Sequence, residues 1–566
     1  VLCLGLTANV TTAKDYFLTM GGGYTPSGNQ ISLEKNVQYF QRLLVDMGLA
    51  GQPHQIFFAD GMNPGRDLQY RESEDRVARV NRLLARIAGS EGGLDLNFRS
   101  HEIAGVQGVS SRENLQRWLQ ETGSKLQQGD RVVLYFTGHG GKNKKDAQNP
   151  HFYMWDNQRI SVQEFVTEMD KLAPEVDLVL VMVQCYSGGF ANVVFNHGKP
   201  KEGYTPAHRC GFFATVHDRT AAGCTPDINE ANYQEYSSFF WAAICGKNRL
   251  GEVIEQPDYD ADGKISLAEA HAYAVLTSDT IDIPIKTSGA LLRSLSKTEG
   301  DDLLSVDAPV EELLAHASPV DLAVIQGLSQ QLGLEDPNRA KAARELAENL
   351  GKQRKEVLQK KSKLNGAFQG IRGQILARLK LQWPELSNPW DPRVAEIAAQ
   401  ESAAIIELIE SHPKYSEFVT HHEELNRLST EALNLERRFV KCSRLLRTLE
   451  NVVLEANLPK VADDAAQQRY AELCGVESAT LDAPTTENST DMTTETSTTV
   501  EPMEETPAAT PSADDANSDD DAKPAQSGDT EDSPATAEAE TSPAPAVEED
   551  SASTDGEEPP RQCETK

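Results

Sequence analysis

Residues 131–141, RVVLYFTGHGG, and residues 177–189, DLVLVMVQCYSGG, are the two stretches from which the fold of this chain can be read. Each is a short, nearly uninterrupted apolar run that breaks into glycines, as a strand buried on both faces of a parallel sheet does where it meets a turn. The first run delivers His139 between Gly138 and Gly140, and the second delivers Cys185 ahead of Gly188 and Gly189. Open α/β sheets bind their ligands at the carboxyl ends of strands, so both side chains stand where a site is expected.

Working outward, further apolar runs at 15–20, 54–59 and 211–216 read as strands, and helical patterns fill 73–88, 112–126 and 161–172. Between the first two strands, Leu33, Val37, Phe40, Leu44 and Met47 recur at steps of three and four, which places them on one helical face. Strands alternating with helices predict an α/β domain with a mainly parallel sheet flanked by helices over 14–302.

Beyond that point the strands stop, and 303–479 reads as an α-helical coiled-coil region. Leu425, Leu428, Ala432, Leu435, Phe439, Cys442, Leu446, Leu449 and Val453 keep a three-four spacing, and Leu350, Val357, Leu364 and Ile371 recur at steps of seven. The two helices are expected to pair as an antiparallel hairpin across the Pro-interrupted segment 383–392, or else to mediate self-association or bind a coiled-coil partner.

The formal charge of −33 is concentrated at one end: 24 acidic residues against three basic ones from Thr480 to Lys566 carry −21 of it, leaving −12 for the rest. That stretch has no aromatic residue and is dominated by Thr, Ser, Pro, Ala, Asp and Glu, so 480–566 reads as a disordered acidic tail. Its charge, with no compact basic patch elsewhere, argues against nucleic acid as a partner. No apolar run is long enough to span a membrane. Residues 1–13, VLCLGLTANVTTA, read either as the truncated end of a signal peptide, implying export to the periplasm or the extracellular space, or as a buried first strand in a cytoplasmic protein. The eight cysteines form no CxxC-type motif and are too few for a disulfide framework, although Cys210 and Cys224 could close a loop disulfide.

YFTGHGG (135–141) and VMVQCYSGGF (181–190) resemble the motifs of the caspase, legumain, metacaspase and gingipain-type cysteine peptidases, in which a His-Gly turn precedes a strand-end Cys by roughly 50 residues. The resemblance covers about residues 15 to 300. It implies a caspase-like fold and a cysteine endopeptidase acting on protein or peptide substrates, with Cys185 as nucleophile and His139 as its partner, and with the backbone amides of Gly140 and Cys185 holding the oxyanion. Gln184 is reminiscent of the glutamine of the caspase signature, whereas Tyr186 and Ser187 depart from it toward the legumain and metacaspase style. The segment HDRTAA (217–222) looks like the metacaspase pocket segment, which would make Asp218 the acid that selects Arg or Lys; a solvated loop carboxylate is the alternative. Lys142, Lys144, Lys145, Lys199 and Lys201 lie in the loops after the dyad residues, where such a peptidase could cut itself.

A second site is read from the residues alone. DYDADGKISLAE (258–269) matches a twelve-residue EF-hand loop, with Asp258, Asp260 and Asp262 at positions one, three and five, Gly263 at six, the Lys264 carbonyl at seven, Ser266 at nine and Glu269 at twelve. Calcium is the expected cofactor, and its place after the pocket segment suggests that it orders the substrate-binding side. Two rival functions stand beside the peptidase: a catalytically silent caspase-like scaffold for calcium-dependent protein interaction, and a hydrolase using Ser187.

Overall fold

The structure, a computed structural model, describes residues 14–72, 77–388 and 391–481. Residues 1–13 and all but the first two residues of the acidic tail lie outside them.

The central sheet is built from β1 (Asp15–Gly22), β2 (His54–Phe58), β5 (Arg131–Gly138), β9 (Asp177–Met182), β10 (Arg209–Phe213) and β11 (Ile285–Lys286), in the order β11-β10-β9-β5-β1-β2. Every pairing is parallel except that of β10 with β11. Val132 to Gly138 in β5 and Leu178 to Met182 in β9 are all buried, which is why those strands read as continuous apolar runs. Short strands stand outside the sheet: β3 (Leu68–Tyr70) pairs with β4 (Asn97–Arg99), and β6 (Gly140–Gly141), β7 (His151–Tyr153) and β8 (Arg159–Ser161) form a three-stranded ribbon.

Helices α1 (Ile31–Asp46), α3 (Arg112–Glu121), α4 (Val162–Met169), α5 (Tyr236–Cys245), α6 (Leu267–Thr277) and α7 (Thr287–Leu295) accompany the sheet. Leu33, Val37, Phe40 and Leu44 of α1 are buried as their spacing predicts. The helix expected at 73–88 is described as α2 (Arg79–Ala88).

The remaining helices are α8 (Val310–Leu314), α9 (Pro319–Leu332), α10 (Arg339–Gln382), α11 (Arg393–Gln400), α12 (Ser402–Glu410), α13 (Tyr415–Val461) and α14 (Asp464–Glu477). The 44 residues of α10 and 47 of α13 form the antiparallel hairpin: Leu350 clusters with Leu445 and Leu449, Val357 with Leu428 and Ala432, and Phe368 with Phe418. This hairpin does not stand apart from the sheet. Val80, Leu83 and Ile87 of α2 join its far end, Val440 of α13 packs on Val216 and Ile283, and Leu481 enters the main core. Among the described residues no helix is long and apolar enough to cross a membrane.

Candidate functional site

The chain steps from β1 outward to β2 and later returns to β5 on β1's other side, so the loops leaving β1 and β5 diverge at the sheet's carboxyl edge, where such sheets bind ligands. His139 leaves β5 at this point. The last rung between β5 and β9 pairs Phe136 with Met182, and three residues beyond it on each strand come His139 and Cys185. Register alone brings the two to one level of one edge.

Glycine is required here by contact. A Cβ on Gly140 would stand 2.0 Å from the Cys185 carbonyl oxygen and 2.8 Å from Gln184 Cγ. Gly188 is similarly constrained, with Thr215 O at 2.5 Å from its imagined Cβ. Tyr186, directly after Cys185, holds φ at 62°, a left-handed value that a non-glycine residue adopts only when its surroundings enforce it. Its amide donates to Arg219 O at 2.8 Å, which ties the turn to the segment following β10.

His139 is oriented by the loop after β1. Its Nε2 lies 2.7 Å from Gly28 O and 3.1 Å from Gln30 Oε1. A carbonyl only accepts, so Nε2 carries the proton and Nδ1 is left as a lone pair. The Tyr24 ring stands edge-on at 5.3 Å. Burial pushes the imidazole pKa down, while the Gly28 bond and the negative charge of a Cys185 thiolate work the other way. The net direction is downward, which favours the neutral imidazole.

Two thiols share this region. Ala221 N donates to Cys185 Sγ at 3.3 Å, and Cys224 Sγ lies 3.8 Å from His139 Nδ1. The sequence puts Cys224 forward only as a disulfide partner of Cys210 and not as a neighbour of His139, because no apolar run leads into it; it occupies a left-handed turn with φ at 45°. The Cys210–Cys224 disulfide does not form. Cys210 is fully buried in β10, whereas Cys224 lies against His139, and both are free thiols.

Of the other expected site residues, Gln184 is buried beside Cys185, and its amide oxygen and nitrogen make no hydrogen bond among the described residues. Asp218 is exposed, and its charge acts on Arg447 of α13. Ser187 is fully buried and donates to Thr215 O at 3.4 Å, which removes its hydroxyl from solvent. The five loop lysines are exposed.

The loop at 258–269 gathers carboxylate oxygens of Asp258, Asp260 and Asp262 within 4.8 Å of one another, all exposed. Gly263, with φ at 82°, makes the sharp turn at position six. Glu269 departs from the EF-hand expectation: it is buried, its Oε1 accepts from Tyr259 N at 2.7 Å, and its Oε2 accepts from Ser266 N at 2.9 Å as half of the capping box of α6. Three carboxylates and the Lys264 carbonyl fit a hard cation, and Glu269 would have to leave its cap to join them.

No family model matches the chain, and no curated protein matches it. Among solved structures, a Geobacter sulfurreducens protein determined by structural genomics is 8% identical, covers 46% of this chain and 88% of its own, and superposes with a TM-score of 0.25, a likeness that carries no argument.

Proposed function

We propose that the chain is a caspase-like cysteine endopeptidase with Cys185 as nucleophile and His139 as general base and acid. The observation that carries the reading is the bond from His139 Nε2–H to Gly28 O, which leaves the Nδ1 lone pair on the side of two thiols, Cys224 at 3.8 Å and Cys185, whose charge acts on the imidazole. In the reaction Nδ1 takes the thiol proton, the thiolate sulfur bonds the scissile carbonyl carbon, and the oxyanion is held by the amides of Gly140 and Cys185. The imidazolium then protonates the departing amine, leaving an acyl-enzyme. His139 next activates a water that breaks the thioester and returns the proton to sulfur.

Cleavage after Arg or Lys rests on Asp218, whose charge already acts on Arg447. Calcium, held by Asp258, Asp260, Asp262 and the Lys264 carbonyl, would order the turn that precedes α6.

The deciding experiment is a fluorogenic peptide panel with Arg, Lys, Asn or Asp before the scissile bond, run on wild type and Cys185→Ala with calcium or chelator. Cleavage lost in the variant supports the peptidase. No Cys185-dependent cleavage, with calcium present and the chain nicked, favours the scaffold, a reading to which the seating of the Cys185 thiol on Ala221 also lends itself.

A further inference from the structure

Three residues spaced four apart on α13, Glu436, Val440 and Arg444, form one buried stripe; the first two touch the segment that follows β10, and the third reaches it through the loop after α6. Glu436 pairs with Arg219, whose carbonyl receives the Tyr186 amide next to Cys185. Val440 packs on Val216 and Ile283. Arg444 is 2% exposed and works through an intermediary. Its Nη1 donates to Val275 O at 2.9 Å and Ser278 O at 2.7 Å, its Nε donates to Asp282 O at 2.8 Å, and its Nη2 donates to Thr280 Oγ1 at 3.1 Å. The loop after α6 is thereby wrapped around one guanidinium. The wrapped loop presents Asp282, fully buried, whose Oδ1 accepts from Ala222 N at 2.7 Å. Ala222 follows Ala221, the residue whose amide donates to Cys185 Sγ.

We infer that Asp282 and Arg444 are positioning residues of the Cys185 site, through which a single face of α13 holds the wall on which the thiol rests; this builds on the peptidase reading. A planar five-donor fork can organise several carbonyls at once, and a lysine ammonium at the same place cannot reproduce it. The Ala221 amide stabilises thiolate over thiol, so a wall that shifts raises the pKa of the Cys185 thiol and misplaces it for attack.

The test measures alkylation of Cys185 by iodoacetamide against pH, read by mass spectrometry on the Cys185 peptide, together with kcat and KM on the best substrate. Asp282→Ala and Arg444→Lys are expected to move the alkylation midpoint to higher pH and to lower kcat by about 10²-fold with little change in KM. Asp282→Asn, which keeps the acceptor for Ala222 N, is expected to restore both. Asn457→Ala, which cuts the bonds from α13 to Lys297 O and Leu304 O far from the site, is expected to lower the melting temperature without moving the midpoint. Unchanged midpoints in folded Asp282→Ala and Arg444→Lys would overturn the inference. Wild-type protein offers a measurement that no misfolded variant can spoil: in native-state hydrogen exchange the Ala222 amide should open together with α13, and exchange of Ala222 at loop rates while α13 stays protected would equally overturn it. Because alkylation needs no substrate, wild type that cleaves nothing would refute the peptidase and leave this test standing.

Discussion

Gly140 lies so close to Cys185 that the one atom separating glycine from alanine would fall 2.0 Å from the Cys185 carbonyl oxygen. The turn carrying His139 and the turn carrying Cys185 are therefore in close backbone contact.

Gly140→Ala should accordingly lower Cys185-dependent cleavage by about 10²-fold, since the nearest obstruction is backbone and cannot swing aside. A displacement of about 1 Å in a catalytic group costs about 10²-fold in rate. Steady-state assays beside a thermal melt check it; a variant with wild-type kcat would show that the contact is not used.

Asp282 should make stability depend on pH. Burial raises its carboxyl from 3.8 to about 7, against the opposing effects of the Ala222 amide, Arg444 and Thr280. The unfolded chain loses this proton near pH 4 while the folded chain keeps it to about pH 7, so this group's contribution is full below pH 4 and is lost as pH rises through 7. Asp282→Asn should match wild type at pH 4 and exceed it at pH 8 by on the order of 1 kcal/mol or more, about 2 °C in melting temperature. Parallel melting curves at the two pH values would refute it.

Thiol labelling should sort four of the cysteines into two classes. Cys185 and Cys224 are partly exposed and should react in the native protein at pH 8, whereas Cys210 and Cys442 are fully buried, with thiol pKa values pushed up by burial, and should react only on unfolding. Labelling with and without denaturant, located by peptide mapping, decides this.

The loop at 258–269 separates two roles in a single experiment. Glu269→Ala should lower stability by about 1 kcal/mol even in chelator, because it removes the acceptor of the Tyr259 and Ser266 amides. Asp260→Ala should leave the chelated protein unaffected and remove the calcium-induced rise in melting temperature. A rise that survives in Asp260→Ala would place calcium elsewhere.

What was legible in the sequence follows from which interactions leave a local pattern. The strand ends at His139 and Cys185 were readable because a doubly buried strand must be apolar along its length and must then break. The stripe from Leu425 to Val453 was readable because its partner is another helix with the same period. The second stripe on α13 was not: Glu436 and Arg444 look solvated until their partners, over 160 residues away in the case of Asp282, are in place. Helix α5, YSSFFWAAIC, is buried on nearly every side and so lacks a helical period, while β6 and β11 are two residues long and have none to show. The partner of His139 Nε2 was invisible for a different reason: Gly28 contributes a carbonyl, which every residue type carries. Asp218 was legible by residue type alone; the structure adds that it is exposed and that its charge reaches Arg447.

The hairpin meets the sheet region at both of its ends, through α2 at one and through Val440 and Arg444 at the other. Severing the connection between α10 and α11 would therefore change the chain's mass on a denaturing gel and leave its hydrodynamic size unaltered, so that maturation by cutting would be a matter of covalent bookkeeping, two polypeptides persisting as one particle.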